Sequence, residues 1–263
     1  MMKTAIVTGA GSGIGYYAAK TLFENGWKVY DFSRTNRCFE GVNHIACDVA
    51  KEEDVLSAVR SVIEKEGQID LLINNAGFGI SGAVEFTDPE DSHRLMEVNL
   101  FGADRLTRAC VGHMRKRGQG RIVFISSVAA VFPIPFQAWY SVSKAAVNAY
   151  ASTLRNEVAP FGITVTAVMP GDTKTGFTGS RIKTHQGDEC YGGKIERSVS
   201  KMEKDEKNGM SAEKAGAWIA RVGMKKRVRP LYTIGFGYQA LVFLKRILPE
   251  SLIGFLIRML YAK

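Results

Sequence analysis

The run Thr8-Gly9-Ala10-Gly11-Ser12-Gly13-Ile14-Gly15 limits what this chain can become more than any other stretch, because of where its glycines stand. They lie between a strand-like segment, Lys3 to Thr8, and a helix-like segment, Gly13 to Asn25. Glycine lets a backbone turn sharply and come close to a pyrophosphate, and the free N–H groups of a helix N-terminus favour an anion there. A glycine-rich loop alone can be a simple turn. Placed directly after a strand and opening a helix, it begins a dinucleotide-binding unit, in which Gly9, Gly11, Ser12, Gly13, Ile14 and Gly15 face or support the ligand.

The same alternation continues along the chain. Lys28 to Phe32 reads as a second strand, Val42 to Cys47 as a third, Glu52 to Lys65 as a helix and Ile69 to Asn74 as an apolar strand. Pro89 through Arg117 supplies one or two helices, Arg121 to Ile125 a strand, Trp139 to Val158 a long helix and Ile163 to Val168 a β-branched strand. Near-continuous apolar strands separated by helices predict an α/β fold, a doubly wound parallel sheet of the Rossmann type, with ligands at the carboxyl ends of the strands. With 263 residues, 46% of them hydrophobic, the chain is expected to form one domain over residues 1–263.

After Pro170 the pattern changes. Residues 172–210 are polar and punctuated by glycine, which reads as a mobile loop covering a substrate. Ser211, followed by Ala212-Glu213-Lys214, is placed to cap a helix reaching about Val222. Residues 235–263 are unusually apolar, yet Lys245, Arg246, Glu250 and Arg258 interrupt them and Pro249 divides them, so two amphipathic helices are expected rather than a membrane span.

The net charge of +9 admits nucleic acid, an anionic cofactor, an acidic substrate or a membrane as partner. Arg115-Lys116-Arg117 and Lys225-Lys226-Arg227 lack the interleaved aromatics of a base-stacking groove, so they read as solvated helix ends and loops, and no nucleic-acid partner is expected. Cys38, Cys47, Cys110 and Cys190 have neither disulfide-framework nor metal-ligand spacing, and His44, His93, His113 and His185 read as structural or surface residues. No metal is expected. The chain passes from Met1 into a buried-strand pattern within a few residues, leaving no room for a signal peptide, and a reducing cytoplasm fits best.

The second strand bears on the choice of cofactor. Ser33 takes the position where a carboxylate would bind both ribose hydroxyls, and Arg34 follows it. A guanidinium beside a hydroxyl suits a 2′-phosphate, so NADP(H) is preferred, with NAD(H) as the alternative. Asp31 favours NAD(H) mildly, but its place in the period-two pattern makes it a sheet-facing or capping residue.

Tyr140 and Lys144 stand four residues apart on the long helix, so a phenol and an ammonium share one face, where a cation would favour the phenolate. The glycine loop, Asn74-Asn75-Ala76-Gly77, Ser127, Tyr140-x-x-x-Lys144 and Pro170-Gly171 occur in one order with compatible gaps over roughly residues 1–175. Together they resemble the short-chain dehydrogenase/reductase family. The resemblance implies that Tyr140 is the acid/base, Ser127 the hydroxyl orienting a carbonyl, and Lys144 the residue that holds the nicotinamide ribose and lowers the phenol's pKa. It further implies that Asn99 supports a water in the proton relay. Asp48, with Val49, would lie beside the adenine, and Asn75, Ala76 and Gly77 would line the adenosine side. Ser126 competes with Ser127. Beyond Pro170-Gly171, Thr175 fits the family pattern, whereas Thr173 replaces an apolar residue and Asp172 adds a charge.

These residues predict an oxidoreductase that moves hydride between nicotinamide and a carbonyl or secondary alcohol. A lipophilic substrate such as a steroid, retinoid or long-chain compound is expected from the apolar tail and from Phe132, Pro133, Ile134, Pro135, Phe136 and Trp139. The tail itself suits three settings: closing that pocket, an interface of a homodimer or homotetramer, or peripheral contact with a membrane. Two other functions compete: a non-catalytic dinucleotide sensor or scaffold, and an epimerase or dehydratase on a similar fold.

Overall fold

The computed structural model describes residues 2–262, and its elements follow in chain order. The first half comprises β1 (Thr4–Thr8), α1 (Gly13–Glu24), β2 (Lys28–Ser33), β3 (Asn43–Ala46), α2 (Glu52–Glu66), β4 (Leu71–Asn74), the short β5 (Ile80–Ser81), α3 (Pro89–Met96), α4 (Gly102–Arg117) and β6 (Gly120–Ile125). Then come α5 (Ala138–Val158), β7 (Ile163–Pro170), β8 (Thr173–Lys174), α6 (Phe177–Ser180), β9 (Ile182–Lys183), α7 (Lys194–Asn208), β10 (Met210–Ser211), α8 (Ala212–Met224), β11 (Leu231–Ile234), α9 (Phe236–Leu244) and α10 (Glu250–Tyr261).

Seven strands form one sheet in the order β11-β7-β6-β4-β1-β2-β3, and every pair in it is parallel. Strand order reverses beside β1, whose neighbours are β2 and β4, so the glycine loop leaves the sheet at the point where a crevice opens between diverging connections. The apolar runs explain the burial. All five residues of β1 are buried, and the two faces of the sheet are covered by separate apolar layers. One layer includes Val55, Ala58, Val59 and Val62 of α2, a helical stripe of spacing three and four, together with Leu106, Cys110, Val147 and Ala151. The other joins α1 to α8, where Gly216 lies so close to α1 that an added Cβ would stand 2.7 Å from the Ile14 carbonyl oxygen.

Several regions depart from the sequence reading. Residues 97–101 form a π-helical turn between α3 and α4, and this turn carries Asn99. The segment expected as a loop at 172–210 is folded and contains the 15-residue helix α7. Its polar composition concealed Ile195, Val199 and Met202, which recur at helical spacing and pack near Ala83, Phe86, Ile134 and Phe136. β11 also escaped the reading, because it is short and its first three residues are only partly buried at the sheet edge. Ser211 does cap α8, accepting a hydrogen bond from Lys214 N at 3.2 Å.

Candidate active site

Backbone geometry builds the first wall of the site. Gly9 and Gly13 adopt φ of 68° and 56°, a region costly for other residues, and Gly9 N donates to the Phe32 carbonyl at 3.0 Å. The Asp31 carboxylate, fully buried, accepts from Ala10 N at 2.7 Å and so ties the loop to β2. Asn75 fixes the other side: its side-chain amide donates to the Thr8 carbonyl at 2.8 Å, while Thr8 Oγ1 accepts from the backbone N–H groups of Asn75 and Ala76. Gly15 lies behind the loop, since a Cβ there would meet Asn75 Nδ2 and the Gly9 oxygen at 2.5 Å.

A cavity of about 840 Å³ runs from this loop to α5 and the tail. Of the residues anticipated from sequence, Gly9, Gly11, Ser12, Gly13, Ile14, Ser33, Arg34, Asp48, Val49, Asn75, Ala76 and Gly77 line it, as do Ser127, Tyr140, Lys144, Pro170, Gly171, Thr173 and Thr175. Two do not. Gly15 is the close-packed support just described, and Asn99 is buried, donating from Nδ2 to the Phe78 carbonyl at 3.0 Å and to Ser143 Oγ at 3.1 Å while its Oδ1 accepts from Phe78 N. The cavity also includes Arg37, three positions beyond Arg34, and Phe177 and Glu206 after β7, none of which the sequence singled out, together with Tyr261 of the apolar tail. Among the described residues neither Arg34 nor Arg37 has a carboxylate partner, so the cavity is lined by two guanidinium-bearing residues without an acid, Arg37 next to Gly11 of the loop. A glycine cradle with two guanidinium groups in the same cavity fits an anionic dinucleotide.

Asp31 does not face the cavity. Its second carboxylate oxygen accepts from Ser33 Oγ at 2.5 Å and Cys38 Sγ at 3.0 Å, and it lies 3.1 Å from His44 Nδ1. The donor atoms of Asp31, Cys38 and His44 thus lie within 4.8 Å of one another, a convergence that linear spacing did not reveal. The buried carboxylate accounts for it, drawing polar hydrogens inward, and burial with this hydrogen bond pushes the Cys38 thiol up to about 12.

At the other end of the cavity, Ser127 begins a short 3₁₀ turn and accepts from Ala129 N at 3.1 Å. Ser126 is committed elsewhere, donating to the Lys144 carbonyl at 3.1 Å, so Ser127 is the hydroxyl that faces the phenol. Tyr140 packs against Phe177, with ring centres 5.5 Å apart. Burial pushes its phenol up to about 12; the Ser127 hydrogen bond opposes that rise, while the Glu206 and Asp172 carboxylates add to it. Lys144 is 5% exposed, donates from Nζ to the Ile125 carbonyl at 2.9 Å and is lowered by burial to about 8. Lys144 is expected from the sequence to depress the phenol's pKa; here burial is the largest influence on it, and the phenol is raised. Burial acts on both groups, raising the phenol and lowering the ammonium.

The tail closes the far side. Gly171 abuts the Tyr238 ring, where a Cβ would fall 2.1 Å from ring carbons, and Tyr238 Oη donates to the Asp172 carboxylate. Tyr261 Oη donates to Asp205 Oδ2 at 3.0 Å, and Thr173 Oγ1 donates to the Gly171 carbonyl at 2.8 Å.

A parallel sheet in this order, with a glycine cradle at its switch point and a serine, tyrosine and lysine around one cavity, defines a dinucleotide-dependent oxidoreductase. The family model described as short chain dehydrogenase matches residues 3–186, and the chain belongs to that short-chain dehydrogenase/reductase family. The chain is 38% identical to a 3-ketodihydrosphingosine reductase of Bacteroides thetaiotaomicron over 266 residues, covering 98% of this chain and 97% of the relative. Among solved structures, a short-chain dehydrogenase from Streptomyces avermitilis superposes with a TM-score of 0.85 at 28% identity, covering 94% of this chain and 93% of that one. A 3-ketoacyl-(acyl-carrier-protein) reductase from Brucella melitensis, complexed with NADH, and ElxO, with NADP bound, each superpose with a TM-score of 0.76 at 26% identity. The first covers 90% of this chain and 98% of its own, the second 91% and 100%. A nicotinamide cofactor and CH–OH/C=O chemistry follow from the family.

Proposed function

We propose that the protein is an NADP(H)-dependent reductase of a lipophilic ketone, working in reverse as a secondary-alcohol dehydrogenase. The convergence of Ser127, Tyr140 and Lys144 on the cavity that begins at the glycine loop carries this reading. The bound nicotinamide would supply hydride to the carbonyl carbon. As charge grows on the carbonyl oxygen, the Ser127 hydroxyl donates one hydrogen bond to it and Tyr140 delivers the proton, leaving a phenolate. The phenol, raised to about 12, is protonated at neutral pH as a donor must be. Burial makes it a weaker acid, so the transfer relies on the charge that Lys144 sets against the phenolate. The Lys144 ammonium then stabilises the phenolate and can also donate to ribose hydroxyls. Asn99 would act by holding the Phe78 backbone and, as the family resemblance implies, by supporting a water in the proton relay.

Arg34, Arg37 and Ser33 would hold a 2′-phosphate, the basis for preferring NADP(H) over NAD(H). A lipophilic substrate is supported by Ile134, Phe177, Ile182, Met202 and Tyr261 in the cavity wall and by the relative named for a keto-dihydrosphingosine, a lipid ketone.

Nicotinamide absorbance, followed with both cofactors across keto-sphingoid, other long-chain, steroid and short ketones, tests the whole reading. Faster turnover with NADPH and the long-chain ketones is the expected result. Tight NADPH binding with no turnover across that panel would replace the enzyme with a dinucleotide sensor, and product formed without net cofactor change would point to an epimerase or dehydratase.

A further inference from the structure

Residues 211–263 hold ten Lys and Arg against two acids, Glu213 and Glu250, and so carry a net +8 of the chain's +9. The same region presents its apolar side chains outward. Phe236 is 87% exposed, and Phe243, Ile247, Leu256 and Leu260 are also exposed, whereas Tyr238, Ile253 and Tyr261 turn inward toward the body of the protein. Beside α9 a groove of about 420 Å³ is lined by Lys225, Arg229 and Arg246 together with Trp218, Tyr232 and Phe243. The Lys225 ammonium lies 5.4 Å from the centre of the Tyr232 ring, and among the described residues none of these three cations has a carboxylate partner.

Exposed apolar side chains in such density mark an interaction surface. A second copy of the chain is a poor occupant. A two-fold interface sets a patch against itself, which would oppose cation to cation, and the only acid on α9 or α10, Glu250, already lies 3.3 Å from Lys245 Nζ. An anionic bilayer satisfies both halves of the surface, taking the apolar side chains at its acyl boundary and the cations at its headgroups. No helix among the described residues is long and apolar enough to cross a membrane, so the pair would lie in the interface plane.

We propose that α9, α10 and the Lys225–Arg229 segment form a docking face for an anionic membrane, with the basic groove receiving a lipid headgroup. The Lys225-Lys226-Arg227 cluster then belongs to this face instead of being a solvated loop. Because α10 also lends Tyr261 to the cavity wall, docking brings the mouth of the site to the bilayer; only this last step rests on the lipophilic-substrate reading.

Sedimentation of the full chain with sucrose-loaded vesicles of phosphatidylcholine, with and without phosphatidylglycerol, tests the docking without any turnover. Binding to the anionic vesicles is expected to be about tenfold or more tighter than to neutral ones, and to weaken as salt rises. The triple substitution Lys225→Glu, Arg229→Glu, Arg246→Glu is expected to weaken it by about tenfold or more, and Phe243→Ser with Leu256→Ser to weaken it as well, while NADPH binding verifies that each variant is folded. Equal binding to both vesicle types, binding to neither, or wild-type binding by the charge-reversed triple would overturn the proposal. A dimer in sedimentation velocity that the same substitutions abolish, without vesicle binding, would put a second copy in place of the bilayer.

Discussion

The Lys144 ammonium lies 5.7 Å from the centre of the Tyr140 ring, yet its hydrogen bond goes to the Ile125 carbonyl. Both groups are paired in space and both are pushed toward their neutral forms by burial, the phenol to about 12 and the ammonium to about 8. A pH dependence follows. Lys144 is charged below about pH 8 and loses its proton as pH rises through that value, while Tyr140 keeps its own. Reductive kcat is therefore expected to fall on the alkaline side with an apparent pKa near 8, measured at saturating cofactor and substrate. An alkaline limb more than about a unit higher would assign the titration to another group.

The same lysine is a cost to stability. Its pKa falls from 10.5 on folding, so the unfolded chain binds more protons between pH 8 and 10.5; the penalty is fully present below about pH 8 and fades as pH rises toward 10.5. Lys144→Met should abolish turnover yet match or exceed wild-type stability at pH 7, by up to about 2 kcal/mol, with the advantage shrinking by pH 10. Denaturant melts at both pH values check this, and a variant less stable than wild type at pH 7 would contradict it.

Tyr140→Phe removes only the proton donor and leaves the ring packed on Phe177. Turnover should drop by about 100-fold or more, with the NADPH dissociation constant changed by less than about twofold. Substantial residual activity would transfer the role to another group.

Arg34→Asp should lower the preference for NADPH over NADH by about tenfold or more, because it removes one guanidinium and sets a carboxylate near the phosphate. Arg37→Ala, on the second guanidinium, should weaken NADPH more than NADH. Preference ratios from kcat/KM that do not move in either variant would place the phosphate elsewhere.

Gly15→Ala forces a Cβ into the Gly9 carbonyl and the Asn75 amide, both at 2.5 Å. Neither is the free end of a flexible chain, so the variant should lose about 1–3 kcal/mol of stability and bind cofactor more weakly. Thermal melts with and without NADPH measure both effects, and wild-type values for each would show that the loop has slack.

Six of the seven strands of the central sheet were readable, most of them as apolar runs whose burial follows from composition, and the glycine loop because only one residue type tolerates that turn beside that helix. Tyr140 and Lys144 could be placed on one face from their helical spacing, and Ser127 joined them through the family resemblance; all three line the cavity. Contacts made across long separations were not. The pairing of Tyr238 with Asp172 spans 66 residues, and nothing near either position announces it. α7 was hidden because its three buried apolar side chains are outnumbered by Lys, Glu and Ser. The effect of burial on Tyr140 was not legible, because spacing locates a neighbouring cation but says nothing of how much water surrounds the pair.

Both oxygens of Asp31 are occupied, one by the glycine loop and the other by Ser33, Cys38 and His44. Laboratory evolution toward a different coenzyme would find this position closed, since any replacement there frees the loop before it can offer anything to a ribose. The open route begins three residues later, at Arg34, whose side chain holds nothing yet.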